Sequence, residues 1–201
     1  MEILDINENQ VKLLDVIGSD KDIAQRARIC TKGELGIEKK MTDEEIDRLI
    51  HLLITRKHTS PLEFAGITIQ VKCPIFVARQ WFRHRTFRYL ERSGRYYGNT
   101  DEVYLPENMR TPEILETIEA TFDQYQKLLN NGISKQEARI ILPLGTFTEF
   151  VVQMDMNNLL HFLSLRLSPA AQPEMRKYAQ FVAEIVKDKF PITYRYFSEL
   201  Q

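Results

Sequence analysis

Residues 79–95 read RQWFRHRTFRYLERSGR, and the fold can be worked out from this stretch and the elements on either side of it. It contains six arginines, no lysine and one acidic residue, Glu91, which gives it a formal charge of +5. Lysine would serve equally well for solubility, whereas the planar guanidinium of arginine suits bidentate contacts with phosphate or carboxylate. We therefore interpret the stretch as a binding site.

Local patterns outside the stretch predict strands and helices of unequal length in one domain, residues 1–201. Pro74 is expected to open a helix from Ile75 to about Arg85, on which Phe76, Gln80, Arg83 and His84 share one side. Strands are predicted at residues 2–6, 11–17, 65–71 and 145–154, and helices at residues 20–30, after the N-cap Thr42, and at 112–129, 134–139, 157–167 and 170–189. Because the strands do not alternate regularly with helices, the pattern favours an α+β fold.

The composition excludes several classes of protein. The 201 residues have a formal net charge of −1, which argues against a general nucleic-acid or membrane-surface binder. No apolar run approaches the roughly 20 residues of a membrane span, and the first residues lack the features of a signal peptide. We therefore expect a cytoplasmic protein with no membrane partner.

The two cysteines, Cys30 and Cys73, have neither disulfide-framework nor metal-site spacing. We expect both to be small core residues, and we expect no metal site because the histidines also lack suitably spaced carboxylate or cysteine partners.

Taken alone, the arginine stretch leaves two other interpretations open. It could form an exposed ion-pairing face. It could also bind RNA or single-stranded nucleic acid, with Trp81, Phe82, Phe87 and Tyr89 as stacking platforms for bases.

A longer pattern is more specific than the arginine content. Arg83-His84-Arg85 is followed by seven residues and then by Ser93, which resembles the signature of flavin-dependent thymidylate synthases. Further blocks resemble the same family in the same order, so that the similarity spans roughly residues 3–195. These blocks are Ala27-Arg28, His58 to Glu63, Val71 to Phe76, Glu137 to Pro143, His161 to Arg166 and Ala171 to Arg176.

The resemblance implies an enzyme, a reductive methyltransferase. It would transfer a one-carbon unit from 5,10-methylenetetrahydrofolate to C5 of deoxyuridine monophosphate (dUMP), with FAD as cofactor and NADPH as reductant, to give thymidylate (dTMP). No protein nucleophile is needed in that family, which agrees with the expectation that Cys30 and Cys73 are small core residues. The resemblance also implies a mixed, mainly antiparallel sheet flanked by long helices, and a homotetramer whose sites are shared between subunits.

The same resemblance assigns site residues, and their chemistry suits the ligands. Arg95 and Arg139 are expected to bind the phosphate, and Arg166 is the expected catalytic residue, its guanidinium facing the uracil N3/O2 edge. We expect His84 to be neutral because Arg83 and Arg85 disfavour its protonation. The predicted nucleotide-binding residues are Gln80, Trp81, Phe82, Arg83, Glu91, Arg92, Ser93, Gly94, Arg95, Arg139 and Arg166. The predicted flavin-binding residues are Ser60, Arg83, His84, Arg85, Thr86, Glu91, Asp155, Asn157 and His161.

The chain departs from the family pattern mainly on the flavin and folate side. Arg88 and Leu90 stand where the family usually has Ser and Asn, and Ala170 replaces a usual His. Asp155 and Asn157 stand where Asn and Arg are common. These departures leave a second interpretation open, namely an enzyme that acts on dUMP with flavin but forms a product with another group at C5, such as hydroxymethyl.

Overall fold

The computed structural model describes the backbone of residues 1–32, 40–97 and 101–201, and their side chains except those of residues 30–32. The helices of this part are α1 (Asp20–Lys32), α2 (Asp43–Thr55), α3 (Ile75–Trp81), α4 (Pro112–Asn130), α5 (Lys135–Ala138), α6 (Met156–Arg166), α7 (Pro173–Lys189) and α8 (Pro191–Ser198). The strands are β1 (Glu2–Ile3), β2 (Val11–Ile17), β3 (Gly66–Pro74), β4 (Arg88–Glu91), β5 (Glu102–Val103) and β6 (Phe147–Asp155).

Four strands form the main sheet in the order β2-β3-β6-β4, and the sheet is mainly antiparallel. β1 and β5 pair separately in parallel, with Glu2 opposite Glu102. β3 shows the period-two burial of strands, since Ile67, Ile69 and Val71 are buried and the residues between them are half-buried. The predicted α+β fold with a mixed, mainly antiparallel sheet is confirmed.

Contacts group the described residues into two compact units. The first unit contains residues 1–10, 71–83 and 89–151, and its core includes Trp81, Tyr125 and Phe150, each at most 2% exposed. Trp81 meets the Phe150 ring edge-on at 5.8 Å between centroids. The single domain over residues 1–201 therefore stays a prediction.

The second unit contains residues 11–70, 84–88 and 152–201 and is mainly helical. Its helices α1, α2, α7 and α8 contact one another. The buried carboxylate of Asp20 accepts hydrogen bonds from the backbone N–H groups of Ile192 and Thr193, at 2.8 and 3.1 Å. Asp20 thus satisfies donors at the N-terminus of α8 that have no partner inside the helix.

Two predicted helix boundaries that depend on neighbouring residues are present in the structure. Thr42 and Glu45 form the predicted capping box at the start of α2, with both reciprocal hydrogen bonds present. Gly132 follows α4 with φ of +83°, a backbone conformation that favours glycine. No helix in the described ranges is both long and apolar enough to span a membrane.

The helix predicted from Ile75 to about Arg85 is too long. α3 ends at Trp81, and the Phe82 N–H makes the capping bond to the Ala78 carbonyl. Arg83 and His84 therefore lie beyond the helix, and their predicted alignment with Phe76 and Gln80 on one helical side is wrong. The chain turns instead and enters β4, which the sequence patterns did not predict.

Candidate functional site

The first unit contains a cavity of about 460 Å³ beside the first residues of β6. It is lined by Lys72, Ile75, Glu91, Arg92, Ser93, Gly94, Arg95, Glu102, Arg139, Phe147, Thr148 and Glu149. Six of these were predicted as nucleotide-binding residues, namely Glu91, Arg92, Ser93, Gly94, Arg95 and Arg139. Residues from the end of β4 and from the turn after α5 thus meet in one cavity, although more than 40 positions separate Arg95 from Arg139 in sequence.

Two of the four cations in the cavity wall are neutralised by carboxylates. Lys72 Nζ lies 2.6 Å from Glu102 Oε1, and Arg92 Nη1 lies 3.7 Å from Glu149 Oε2. The third carboxylate, that of Glu91, accepts a hydrogen bond of 2.8 Å from the Thr148 hydroxyl. The acidic groups of the cavity are therefore engaged by other groups of the wall.

The remaining two cations, Arg95 and Arg139, have no carboxylate partner within the described ranges. Arg95 Nε donates to Gln136 Oε1 at 3.0 Å, and its guanidinium lies 5.7 Å from the centroid of the Tyr96 ring. The Arg139 side chain is exposed and makes neither a hydrogen bond nor an ion pair with another described residue. This part of the cavity carries uncompensated positive charge and suits an anion.

The loop beside Arg95 is a tight turn built on Ser93. The Ser93 carbonyl accepts hydrogen bonds from the Tyr96 and Tyr97 N–H groups, both at 3.2 Å, and the Ser93 hydroxyl accepts one from the Arg95 N–H at 3.3 Å. The turn fixes the Arg95 backbone next to Gly94 in the cavity wall.

The other predicted nucleotide contacts of the first unit do not line this cavity. Trp81 is completely buried, so its side chain fills the core. Phe82 packs edge-on against Tyr89, at 4.9 Å between ring centroids. Gln80 is half-buried on α3, and Arg83 is exposed after it.

The second unit contains Arg166, the predicted catalytic residue, at the last position of α6. Its Nε donates a hydrogen bond of 3.1 Å to His84 Nε2. The His84 ring stacks on Phe87, with 5.5 Å between centroids, and meets Phe162 edge-on at 5.0 Å. Arg166 and His84, which are 82 positions apart in sequence, are therefore joined by a partly buried hydrogen bond beside two aromatic rings.

His84 is neutral, as predicted, but for a different main reason. Burial lowers its pKa to about 4, helped by the positive charge of Arg166 and by His161. An imidazole nitrogen that accepts a hydrogen bond must be unprotonated, which agrees with this direction. The flanking Arg83 and Arg85, on which the prediction rested, are exposed.

Known proteins resemble the chain over almost its whole length. The family model described as thymidylate synthase complementing protein matches residues 12–192. A flavin-dependent thymidylate synthase of Thermus thermophilus is 39% identical over 213 residues, which cover 96% of this chain and 77% of that protein. One from Thermotoga neapolitana is 39% identical over 209 residues, which cover 98% and 94%. The chain belongs to the flavin-dependent thymidylate synthase family.

A solved structure supports the same assignment. A UMP/dUMP methylase, PolB, from Streptomyces cacaoi, bound with 5-Br dUMP, matches with a TM-score of 0.90 and 27% identity, over 99% of this chain and 97% of that one. Because the chain belongs to this family, the protein is an enzyme of the flavin-dependent thymidylate synthase type, and the family resemblance is confirmed over residues 12–192.

Flavin-dependent thymidylate synthases need residues that hold a flavin, and the second unit contains seven of those predicted. Ser60 lines a cavity of about 410 Å³ with Asp22, Gln25, Arg26, Ile29, Pro61 and Phe64. Arg85 and Thr86 are exposed after His84, and His161 is exposed on α6. Asn157 is half-buried in the first turn of that helix.

Asp155, a further predicted flavin contact, has a structural role in this chain. It is the N-cap of α6, where its carboxylate accepts hydrogen bonds from the Asn158 backbone N–H at 3.0 Å and from the Asn158 side-chain amide at 2.7 Å. Arg88, another departure from the family pattern, is exposed and donates to Gln153 Oε1 at 3.4 Å, whereas Leu90 is 74% exposed.

The thiol of Cys73 is unsuited to nucleophilic attack on a substrate. Its side chain is completely buried, and burial together with the Glu91 charge raises its pKa well above the ordinary value. The prediction of a core role for Cys73 is confirmed, while the Cys30 side chain lies outside the described part of the chain. In the described ranges no cluster of three or more histidine, cysteine, aspartate or glutamate residues could hold a metal ion.

Sequence reasoning missed six residues of the cavity wall, namely Lys72, Ile75, Glu102, Phe147, Thr148 and Glu149. Lys72 and Ile75 lie inside the family-like block Val71 to Phe76, where Lys72 alternates along β3 with buried neighbours. The other residues had no signal of their own, because their meeting depends on strands and loops coming together in the fold.

Proposed function

We propose that this enzyme transfers a one-carbon unit from 5,10-methylenetetrahydrofolate to C5 of dUMP, with FAD as cofactor and NADPH as reductant, to form dTMP. The observation that carries the proposal is the pair of arginines, Arg95 and Arg139, that line one cavity without carboxylate partners. The 5-Br dUMP bound to PolB supports a uracil nucleotide as the ligand.

The cavity suits the phosphate of such a nucleotide. A phosphate dianion accepts bidentate, charge-assisted hydrogen bonds from guanidinium groups. Gln136 holds Arg95 at Nε, which fixes the direction of its terminal N–H groups. The backbone around Gly94 and the Ser93 hydroxyl offer further polar contacts beside it.

Arg166 is proposed to act on the uracil ring. A guanidinium facing the N3/O2 edge would stabilise the negative charge that develops as C5 becomes nucleophilic. No side chain is assigned as nucleophile, in keeping with the burial of Cys73.

The chemistry of the predicted flavin residues fits a flavin dinucleotide. The cavity beside Ser60 offers the apolar side chains of Ile29, Pro61 and Phe64 to a ring system. The exposed guanidinium of Arg85 suits a diphosphate. When bound, a reduced flavin supplies the hydride equivalent for the reaction, while the protein holds and orients the reactants. We assign Arg83 and Glu91 to nucleotide and flavin alike, as the resemblance implies.

Three further features belong to the proposal. The chain forms one domain over residues 1–201, assembles as a homotetramer with sites shared between subunits, and works in the cytoplasm without a nucleic-acid or membrane partner. Light scattering coupled to size-exclusion chromatography tests the assembly, for which a mass of four chains is the expected result and a monomer is the contradicting one.

The activity is tested by reconstitution. Purified protein loaded with FAD should stay yellow after unbound FAD is removed, and in the absence of oxygen it should turn over NADPH only when both dUMP and methylenetetrahydrofolate are present. A protein that takes up no FAD, or that oxidises NADPH at the same rate without dUMP, would contradict the proposal. Arg166→Ala should keep FAD uptake and lower the dUMP-dependent rate.

A further inference from the structure

The hydrogen bond between Arg166 and His84 constrains the guanidinium in a specific way. It uses Nε–H, which lies in the guanidinium plane and is the N–H group nearest the aliphatic part of the side chain. An acceptor at this position fixes the plane of the whole group, and with it the directions of both terminal nitrogens. Because the acceptor is Nε2, the His84 proton must reside on Nδ1.

The acceptor itself is held in place. The His84 ring lies nearly parallel to the Phe87 ring, at an interplanar angle of 17°, and nearly perpendicular to the Phe162 ring, at 72°. Phe87 and Phe162 are only 6% and 0% exposed. Rotation of the imidazole would have to displace buried rings, so Nε2 is a fixed point against which Arg166 is set.

The charges around the pair keep the acceptor available. Burial is the main cause that lowers the pKa of His84, and in the described part of the chain Arg166 and His161, both on α6, lower it further. All three disfavour a proton on the imidazole, so Nε2 keeps its lone pair at neutral pH.

We propose that His84 is a positioning residue that sets the orientation of the Arg166 guanidinium. The proposal deepens the proposed function, because it rests on Arg166 acting on the nucleotide. It predicts that loss of the Nε2 acceptor affects kcat more than KM, since a misdirected guanidinium loses charge stabilisation that develops only in the transition state.

The kinetic test compares two replacements of His84 in the reconstituted enzyme. His84→Gln keeps an acceptor oxygen at a similar reach, whereas His84→Leu keeps bulk without an acceptor. We expect His84→Leu to lower kcat by about 10- to 100-fold, with little change in KM for dUMP, and His84→Gln to recover most of the loss. Equal losses in both variants would overturn the proposal.

A double variant separates this role from flavin binding. If His84 acts through Arg166, then His84→Leu combined with Arg166→Ala should be no slower than Arg166→Ala alone. Multiplied losses, or a loss of bound flavin that accounts for the lower rate of His84→Leu, would show that His84 acts elsewhere and would overturn the proposal.

A third measurement does not depend on turnover. NMR of histidine-labelled protein, with the His84 signal assigned through His84→Gln, should show the imidazole titrating near pH 4, and Arg166→Ala should move that titration upward. An unchanged titration would overturn the contact. If the titration moves while dUMP is not modified, the contact stands and the proposed function alone fails.

Discussion

Replacing Arg139 by alanine should weaken dUMP binding by an amount that the structure allows us to work out. Arg139 lines the cavity, and its guanidinium has no ion-pair or hydrogen-bond partner among the described residues, so its removal breaks no side-chain interaction of the unliganded protein. A hydrogen bond to a charged group contributes about 1.5–3 kcal/mol. The expected result is therefore a rise in the Kd for dUMP of roughly 10- to 150-fold.

Isothermal titration calorimetry with dUMP measures this rise, and competition with deoxyuridine, which lacks the phosphate, shows which part of the ligand is affected. Arg139→Ala should leave the affinity for deoxyuridine unchanged. Arg110→Ala is a matched control, because Arg110 pairs with Asp5 and does not line the cavity. An equal loss of affinity for dUMP and deoxyuridine, or no loss for dUMP, would show that Arg139 does not bind the phosphate.

Three predictions concern the fold. Gly66→Ala should lower the free energy of unfolding by about 1–3 kcal/mol in urea titrations, since its Cβ would lie 2.1 Å from the Met154 carbonyl oxygen; an unchanged midpoint would contradict this. Asp20→Ala should lower the free energy of unfolding by about 1–3 kcal/mol, because it removes hydrogen bonds at the start of α8. A decrease of less than about 0.5 kcal/mol would contradict this prediction. Stability should fall as pH drops from 6.5 towards 4, because unfolding lets His84 take up a proton, and His84→Gln should flatten this dependence.

The sequence predicted the elements whose causes are local. The capping box of Thr42 and Glu45 and the glycine after α4 both act within a few residues, and both are present. β4 was missed because its strand conformation comes from pairing beside β6, where the Arg92 N–H donates to the Glu149 carbonyl at 2.8 Å. α8 was missed because Pro191, which ends one helical pattern, also begins the next helix.

The residue types of the candidate site could be predicted from the sequence, but which residues pair with one another could not. Arg95 and Arg139 were identified as anion-binding residues from sequence, and the structure places both in one cavity. Lys72 and Glu102 could not be paired in advance, because they lie on strands that are distant in sequence. The neutrality of His84 was predicted, but its main cause, burial between aromatic rings, depends on tertiary packing.

The mass of the nucleotide product distinguishes methylation of dUMP at C5 from every other outcome. Enzyme reconstituted with FAD is supplied with dUMP, NADPH and methylenetetrahydrofolate, and the nucleotide pool is analysed by mass spectrometry. We expect a product heavier than dUMP by one methylene group, with the fragmentation of dTMP. A product carrying a hydroxymethyl group at C5, or dUMP recovered unchanged by flavin-loaded enzyme, would contradict this expectation.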